Sequence, residues 1–114
     1  MNDQICIRDL EVFYHVGVSD DERSKQQRLL LTLEIESDFT KASAKDDLTQ
    51  TIDYFAVTQR LLKLGEGREW KLIETLAVEI AELTRNEFGA LAVMVEIKKF
   101  IIPEARWVSV RVSR

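Results

Sequence analysis

Two stretches of this sequence place large apolar residues at every second position, and this period most constrains how the chain can fold. Successive side chains of a β-strand point to opposite faces, whereas a helix repeats every 3.6 residues. Residues 28–37 and 91–99 are therefore predicted to be strands with one face in the core. Their apolar positions are Leu29, Leu31, Leu33 and Ile35 in the first stretch and Val93, Val95 and Ile97 in the second.

Two further strands and two helices are predicted around these stretches. Residues 5–14 indicate a first strand with an irregular centre, and residues 107–113 indicate a last strand. Asp53 can cap a helix that begins at Tyr54 and ends near Leu64. A second helix is predicted from residue 70 to residue 88. The core candidates are Phe55, Leu61 and Leu62 on the first helix and Ile73, Leu76, Ala77, Ile80 and Ala81 on the second.

The predicted order is β-β-α-α-β-β, which favours an α+β fold with an antiparallel sheet and both helices on one face. No linker composition interrupts residues 1–114, so we expect a single domain. Leu30, Met94 and Trp107 lie on sheet faces that the helices are not expected to reach, and two strand edges are uncovered. Such surfaces usually indicate assembly, so we expect a homo-oligomer.

Composition excludes several classes of function. The formal net charge of −4 argues against a protein that binds a nucleic-acid backbone. Cys6 and His15 are the only residues of their types, which argues against a typical zinc site, and no metal or cofactor is predicted. No run approaches the roughly 20 apolar residues that span a bilayer, and no apolar leader follows Met1. We therefore expect a cytoplasmic protein without a membrane partner.

Glu74 is an unusual residue on the second predicted helix. Helical periodicity places it on one face with Ala77, Val78 and Ala81, where a surface glutamate would more often have a basic partner one turn away. A carboxylate beside such a patch could bind a flat ligand with adjacent N–H donors. The alternative is structural, since the helix macrodipole favours an acid in the first turns.

Three further residues are candidates for a functional site, and each also has a structural explanation. Glu22 lies in an acidic loop, where charged residues are often only solvated. Tyr54 opens a predicted helix and fits a half-buried aromatic residue whose hydroxyl faces water. Lys99 continues the apolar face of strand 91–99, so its amine either reaches solvent at the sheet margin or is held near a pocket.

Four short motifs in order resemble the dihydroneopterin aldolase family, and the resemblance covers about residues 5–113. No single motif is decisive, because a sequence such as Leu-Ile-Glu is common, but the ordered set is far more specific. The motifs are Gly17-Val18 with Glu22 and Gln27, then Ile52-Asp53-Tyr54, then Leu72-Ile73-Glu74-Thr75-Leu76-Ala77, then Ile97-Lys98-Lys99.

The resemblance implies a tunnelling-fold subunit. Subunits of this family form a tetrameric ring as a β-barrel, and two rings commonly stack into an octamer. Active sites lie between adjacent subunits, so Tyr54 would serve a site that its neighbour completes with Glu22, Glu74 and Lys99.

The resemblance also implies a role for each residue. Glu74 would anchor the pterin through its N2 amino and N3–H groups, and the backbone N–H of Ile73 would bond the pterin oxygen. Tyr54 would contact the ring and assist proton transfer as a catalytic residue, and Glu22 would bind the substrate side chain or orient a water. Lys99 would be the general acid–base. The implied reaction is a metal-free and cofactor-free retro-aldol cleavage of 7,8-dihydroneopterin.

One segment departs from the family pattern and leaves an alternative open. The family usually has a proline after the lysine, but here Phe100 follows Lys99. Dihydroneopterin triphosphate 2′-epimerase, a relative with a similar acid–base set, also has a non-proline residue there. Its substrate demands a basic pocket, whose candidates here are Arg23, Lys25, Arg28 and Arg106. The aldolase is favoured over the epimerase.

A more remote alternative is a ring protein that binds a pterin-like or purine-like ligand without catalysis. Lys99 argues against it, because a non-catalytic protein would not require an amine on an apolar strand face.

Overall fold

The computed structural model describes residues 2–114 and has the predicted α+β architecture, with several short elements between the main ones. The strands are β1 Asp3–Val16, β2 Gln26–Ser37, β3 Glu69–Trp70, β4 Ala92–Lys99 and β5 Val108–Ser113. The helices are α1 Asp20–Arg23, α2 Thr40–Lys45, α3 Tyr54–Leu64 and α4 Ile73–Phe88, with a single 3₁₀ turn at Leu48–Gln50.

The sheet has the strand order β3-β1-β2-β4-β5. Every neighbouring pair is antiparallel except β1 and β3, which are parallel through His15 and Val16. The pairing of β1 with β2 is interrupted between Ile7 and Leu10, which confirms the irregular centre of the first strand. Asp9 occupies this bulge with a φ of +54°. Its N–H donates to Thr32 Oγ1 at 3.0 Å, so the bulged backbone is still hydrogen-bonded.

The core lies between one face of the sheet and the two long helices. The alternating apolar residues of β2 and β4 are all buried there, as their period predicted. All five residues predicted to face inward from α4 are also buried. Asp53 caps α3 as expected, because its Oδ1 accepts hydrogen bonds from the N–H groups of Phe55 and Ala56.

Three details of the predicted helices were wrong. Phe55 is 66% exposed and Leu62 is 45% exposed, so neither belongs to the core. The buried residues of α3 are instead Val57, Leu61 and Leu64, whose spacing of four and three follows one helical face. The second long helix begins at Ile73 rather than at residue 70, because Trp70 pairs in β3 and stacks near Tyr14 with the ring centroids 5.5 Å apart.

The sheet face opposite the helices is polar. Cross-strand ion pairs join Glu11 to Arg28, Asp9 to Lys98 and Glu96 to Arg111, with nitrogen–oxygen distances of 2.8, 3.1 and 3.4 Å. Leu30 and Met94 are half-buried on this face, and Trp107 is exposed. The Lys98 ammonium lies 4.4 Å from the centre of the Trp107 ring, a cation–π distance.

None of the helices within residues 2–114 combines the length and the apolar character needed to cross a bilayer.

Candidate active site

The loop between β1 and β2 folds back on itself, and its hydrogen bonds fix the position of the Glu22 side chain. Ser19 caps the single turn of α1, because its Oγ accepts the N–H of Glu22 at 3.1 Å. The Glu22 side chain then reaches back toward the start of the loop, where its Oε1 accepts the N–H of Val18 at 3.2 Å. The carboxylate is therefore held by its own loop and is not free in solvent.

Glu22 and Lys99 form a short ion pair between Oε2 and Nζ, at 2.7 Å. Their side chains are only 20% and 11% exposed. The hydrogen bond from Lys99 holds the pKa of the Glu22 carboxyl below its usual range, and the hydrogen bonds from Gln27 and Val18 lower it further. A shielded carboxylate–ammonium pair of this kind can hold and transfer a proton, which is the requirement of general acid–base catalysis.

Lys99 reaches this pair from the apolar side of the sheet. It is the last residue of β4, and it pairs with Leu29 on β2 and with Val108 on β5. By the period of the strand it faces the same side as the buried residues Val95 and Ile97, and it is itself buried. Of the two predicted positions for the amine, the structure therefore shows the one inside the fold and not the one in solvent.

Gly17 makes room for the Glu22 carboxylate. A Cβ atom at this position would lie 2.6 Å from both Cγ and Cδ of Glu22, which is closer than atoms can approach. The N–H of Gly17 also donates to the carbonyl of Trp70 at 3.0 Å. This bond ties the Glu22 loop to β3, three residues before α4 begins.

Arg23 is one of the four basic candidates for a substrate phosphate, and its contacts argue against that role. Its guanidinium is buried and donates to the carbonyl oxygens of Gly17 at 2.8 Å and Val18 at 3.2 Å. It also pairs with Asp20 and lies 3.4 Å from a carboxylate oxygen of Glu69. With its donors directed at these groups, Arg23 stabilises the loop. The charges in the sequence could not reveal these contacts, because the main partners of Arg23 are backbone carbonyls.

Ile73 and Glu74 lie together at the start of α4. Leu72 occupies the N-cap position and makes no side-chain capping hydrogen bond, so no capping side chain covers the first N–H groups of this helix. Glu74 is exposed, and within residues 2–114 it takes part in no ion pair. Both the N–H groups and the carboxylate are thus available to a ligand.

The apolar patch predicted beside Glu74 is smaller than expected. Ala77 and Ala81 are fully buried against the sheet, so they are not on the surface that Glu74 shares. Only Val78 remains partly exposed next to it, in a shallow hollow whose other walls are acidic or polar. Helical periodicity correctly placed Val78 beside Glu74. It did not show that the boundary between the buried and exposed parts of α4 passes between Glu74 and the two alanines.

Tyr54 lies far from Lys99 in the same chain. It is 62% exposed and lines an apolar hollow with Ile5, at the opposite end of β1 from the Glu22 loop. Ile5 pairs with Ile35, whereas Lys99 pairs with Leu29 on the same strand β2. At about 3.4 Å per residue, this stretch of β2 is roughly 20 Å long. The structure therefore brings Glu22 and Lys99 together but does not bring Tyr54 to them.

Comparisons with known proteins agree on one family. The family model "FolB: Dihydroneopterin aldolase" matches residues 5–113. The dihydroneopterin aldolase of Haemophilus influenzae is 30% identical over 113 residues, which are 98% of this chain and 96% of that protein.

Two solved structures have the same fold. The FolB protein of Vibrio cholerae O1 superimposes with a TM-score of 0.95 at 33% identity, covering 100% of this chain and 98% of that one. The Escherichia coli dihydroneopterin aldolase, solved in complex with neopterin, superimposes with a TM-score of 0.92 at 29% identity over 98% of both chains. These matches confirm the predicted tunnelling-fold subunit.

Proposed function

We propose that this chain, which belongs to the dihydroneopterin aldolase family, cleaves 7,8-dihydroneopterin in folate biosynthesis. The products are 6-hydroxymethyl-7,8-dihydropterin and glycolaldehyde. The observation that carries the proposal is the shielded Glu22–Lys99 pair at 2.7 Å. The neopterin complex of the Escherichia coli relative supports a pterin as the ligand.

The substrate supplies its own electron sink, so the protein has only to move protons. Removal of the proton from the 2′-hydroxyl allows the C1′–C2′ bond to break, and glycolaldehyde leaves. The electron pair of that bond passes to the N5=C6 double bond of the dihydropterin ring. Protonation of C1′ then gives the hydroxymethyl product. This balance of atoms and electrons requires a base and an acid near the side chain, and neither a Schiff base with a lysine nor a Lewis acid.

Lys99 and Glu22 are proposed to perform these proton transfers. Lys99 is the proposed general acid–base: as the neutral amine it accepts the 2′-hydroxyl proton, and as the resulting ammonium, held at the end of β4 by the ionised Glu22 carboxylate, it donates a proton to C1′. Glu22 keeps the ammonium in place and binds the hydroxyls of the substrate side chain or orients a water. Burial of the pair strengthens the interaction between the two charges, since surrounding water screens them less.

Glu74 and Ile73 are proposed to recognise the pterin ring. The Glu74 carboxylate can accept two parallel hydrogen bonds from the N2 amino and N3–H groups, an arrangement that combines strength with orientation. The uncapped N–H of Ile73 can donate to the adjacent ring oxygen. Glu74 can bind in this way because no basic side chain in the described chain competes for it.

Tyr54 is proposed to contact the pterin bound by a neighbouring subunit. Its exposure supports this assignment, and so does its place beside Ile5, whose partner Ile35 lies roughly 20 Å along β2 from Leu29, the partner of Lys99. The long open edges of β1 and β5 support a ring of subunits joined by their sheets, as a tetramer or a pair of stacked rings in the cytoplasm.

Arg23 supports the aldolase over the triphosphate epimerase. Among the four basic residues considered for a triphosphate pocket, Arg23 is occupied by the Glu22 loop. Arg28 pairs with Glu11 and lies over the ring of Phe100, 4.8 Å from its centre. Lys25 and Arg106 alone offer little charge for a triphosphate.

The direct test is to incubate the purified protein with 7,8-dihydroneopterin and no added metal. We expect glycolaldehyde and 6-hydroxymethyl-7,8-dihydropterin in equal amounts. Dihydroneopterin triphosphate is assayed in parallel, and K99A protein purified in the same way controls for contaminating enzymes. Turnover of the triphosphate alone would reverse the ranking of the two activities, and no reaction with either substrate would reject both.

A further inference from the structure

We propose that Gln27 is a positioning residue that holds the Glu22 carboxylate within hydrogen-bonding distance of the Lys99 amine. The inference rests on the proposed function, in which these two side chains transfer protons. Gln27 belongs to the first sequence motif, but the resemblance gave it no role, and its side chain is only partly buried on β2.

The contacts of the Gln27 amide define this role. Its Nε2 donates to Glu22 Oε2 at 3.1 Å and also donates to the carbonyl oxygen of Val16. A side-chain amide nitrogen carries two hydrogens, and each one is used here. Val16 ends β1, so Gln27 fixes the carboxylate to the rigid end of a strand.

The two acceptors also fix which way the amide points. If the amide were flipped by 180°, its oxygen would face a carboxylate and a carbonyl. All three groups are acceptors, so neither hydrogen bond could form. A glutamate at this position would place a second negative charge against Glu22. A methionine would fill similar space but would donate to neither oxygen.

Three segments thereby hold the same carboxylate. Oε2 receives Lys99 from β4 and Gln27 from β2, while Oε1 receives the N–H of Val18 from the loop. Three other charged residues, Asp20, Asp21 and Arg23, lie on the same short helix as Glu22, and the Arg23 guanidinium is directed at backbone carbonyls. Removing the Gln27 donor therefore frees the carboxylate to rotate away from Lys99 and raises the pKa of Glu22.

The test compares Gln27→Met and Gln27→Glu with the matched control Gln26→Met, an exposed neighbour on the same strand. We expect Gln27→Met to lower kcat roughly tenfold with little change in KM, since one charge-assisted hydrogen bond is lost. Gln27→Glu should lower kcat at least as far. In both variants the acidic limb of the kcat/KM profile should move to higher pH, whereas Gln26→Met should behave as the wild type.

A second measurement does not depend on turnover. Carbon-13 NMR titration of the Glu22 carboxyl should show a midpoint roughly half a pH unit or more higher in Gln27→Met than in the wild type. If the wild type lacks aldolase activity, the proposed function fails but this titration still decides whether Gln27 holds Glu22. Unchanged titration, or wild-type kcat in Gln27→Met, would overturn the role of Gln27. Retention of the thermal unfolding midpoint separates either result from a folding defect.

Discussion

The two ends of the sheet differ in how complete they are. At the Lys99 end, loop, strand and side chains hold one another, and the Glu22 carboxylate has three donors from the same chain. At the Tyr54 end, Tyr54, Phe55 and Leu48 are each at least 60% exposed, and the nearby hollow is apolar and open. One end is already organised within the subunit, whereas the other presents groups that the subunit itself does not use.

In the proposed site between subunits, this difference would separate two kinds of task. Groups that transfer protons need fixed distances, and rigid strand ends and satisfied hydrogen bonds provide them. A group that contacts only one face of a flat ring tolerates a looser setting, and an exposed side chain on a helix start is sufficient. Variants at each end should reveal this division, with the largest effect at Lys99.

Replacing Lys99 should remove turnover while leaving pterin binding largely intact. We expect Lys99→Ala to lower kcat by roughly 10²–10⁴-fold, the usual contribution of a general acid–base. Lys98→Ala is the matched control, because Lys98 is adjacent but faces the polar side of the sheet and pairs with Asp9. Steady-state kinetics and fluorescence titration with neopterin separate the two effects. Loss of binding with kcat retained would contradict the role of Lys99.

Mixing two inactive variants should restore activity if the ends of different subunits meet. We expect Tyr54→Ala and Lys99→Ala to be poorly active alone. In randomly mixed rings, about a quarter of the sites would combine an intact Tyr54 with an intact Lys99 from the neighbour. The measurement is specific activity after joint refolding in equal amounts, compared with each variant refolded alone. No recovery in confirmed mixed oligomers would contradict a site that combines Tyr54 of one subunit with Lys99 of its neighbour.

A methyl group at Gly17 should disturb the organised end specifically. The added Cβ would collide with the Glu22 side chain at 2.6 Å, so Gly17→Ala is expected to displace the carboxylate and lower kcat by roughly 10-fold to 100-fold. Val18→Ala serves as the control, since Val18 is 71% exposed and contributes only its N–H to Glu22. Kinetics equal to those of wild type in Gly17→Ala would show that the loop adjusts without cost.

The smallest predicted effect concerns the pH dependence of stability. The folded-state pKa of Glu22 is lowered, so its stabilising contribution is complete above about pH 4.5 and is lost as the pH falls through the folded pKa. Glu22→Gln should therefore lower the thermal unfolding midpoint at pH 7 by more than it does at pH 3. An equal difference at both values, measured by circular dichroism, would show that the ion pair does not stabilise the fold.

Sequence periodicity predicted most of the fold because the strands of this sheet have one buried face. The period of β2 and β4 identified their inner residues, including the unexpected position of Lys99. It failed for Phe55 and Leu62, since a helix with several apolar residues does not reveal which of them an oligomer would use. It also failed at Trp70, whose pairing with Val16 depends on a strand more than 50 residues away.

The candidate site was less predictable from the residues alone. The contact between Glu22 and Lys99 joins positions separated by most of the chain, and only the resemblance to a family suggested that they meet. The contacts of Arg23, one candidate for a triphosphate pocket, could not be predicted either, because a guanidinium that binds backbone carbonyls has no signature in the sequence. The positions of Gly17 and Gln27 were noted in a motif, but their purpose depends on atoms only a few ångströms from Glu22.

The ion pairs on the outer face of the sheet determine what a closed ring of subunits would enclose. Glu11 and Glu96 each have a basic partner on the adjacent strand, and Asp9 on β1 reaches across β2 to Lys98 on β4, so positive and negative charges alternate across the surface. Such a surface keeps its hydration, because removing water from several charges costs more than their contact returns. A barrel lined by this face would contain a water-filled channel of nearly neutral charge. Its cohesion would then depend on the strand edges and the exposed helix residues at its rim.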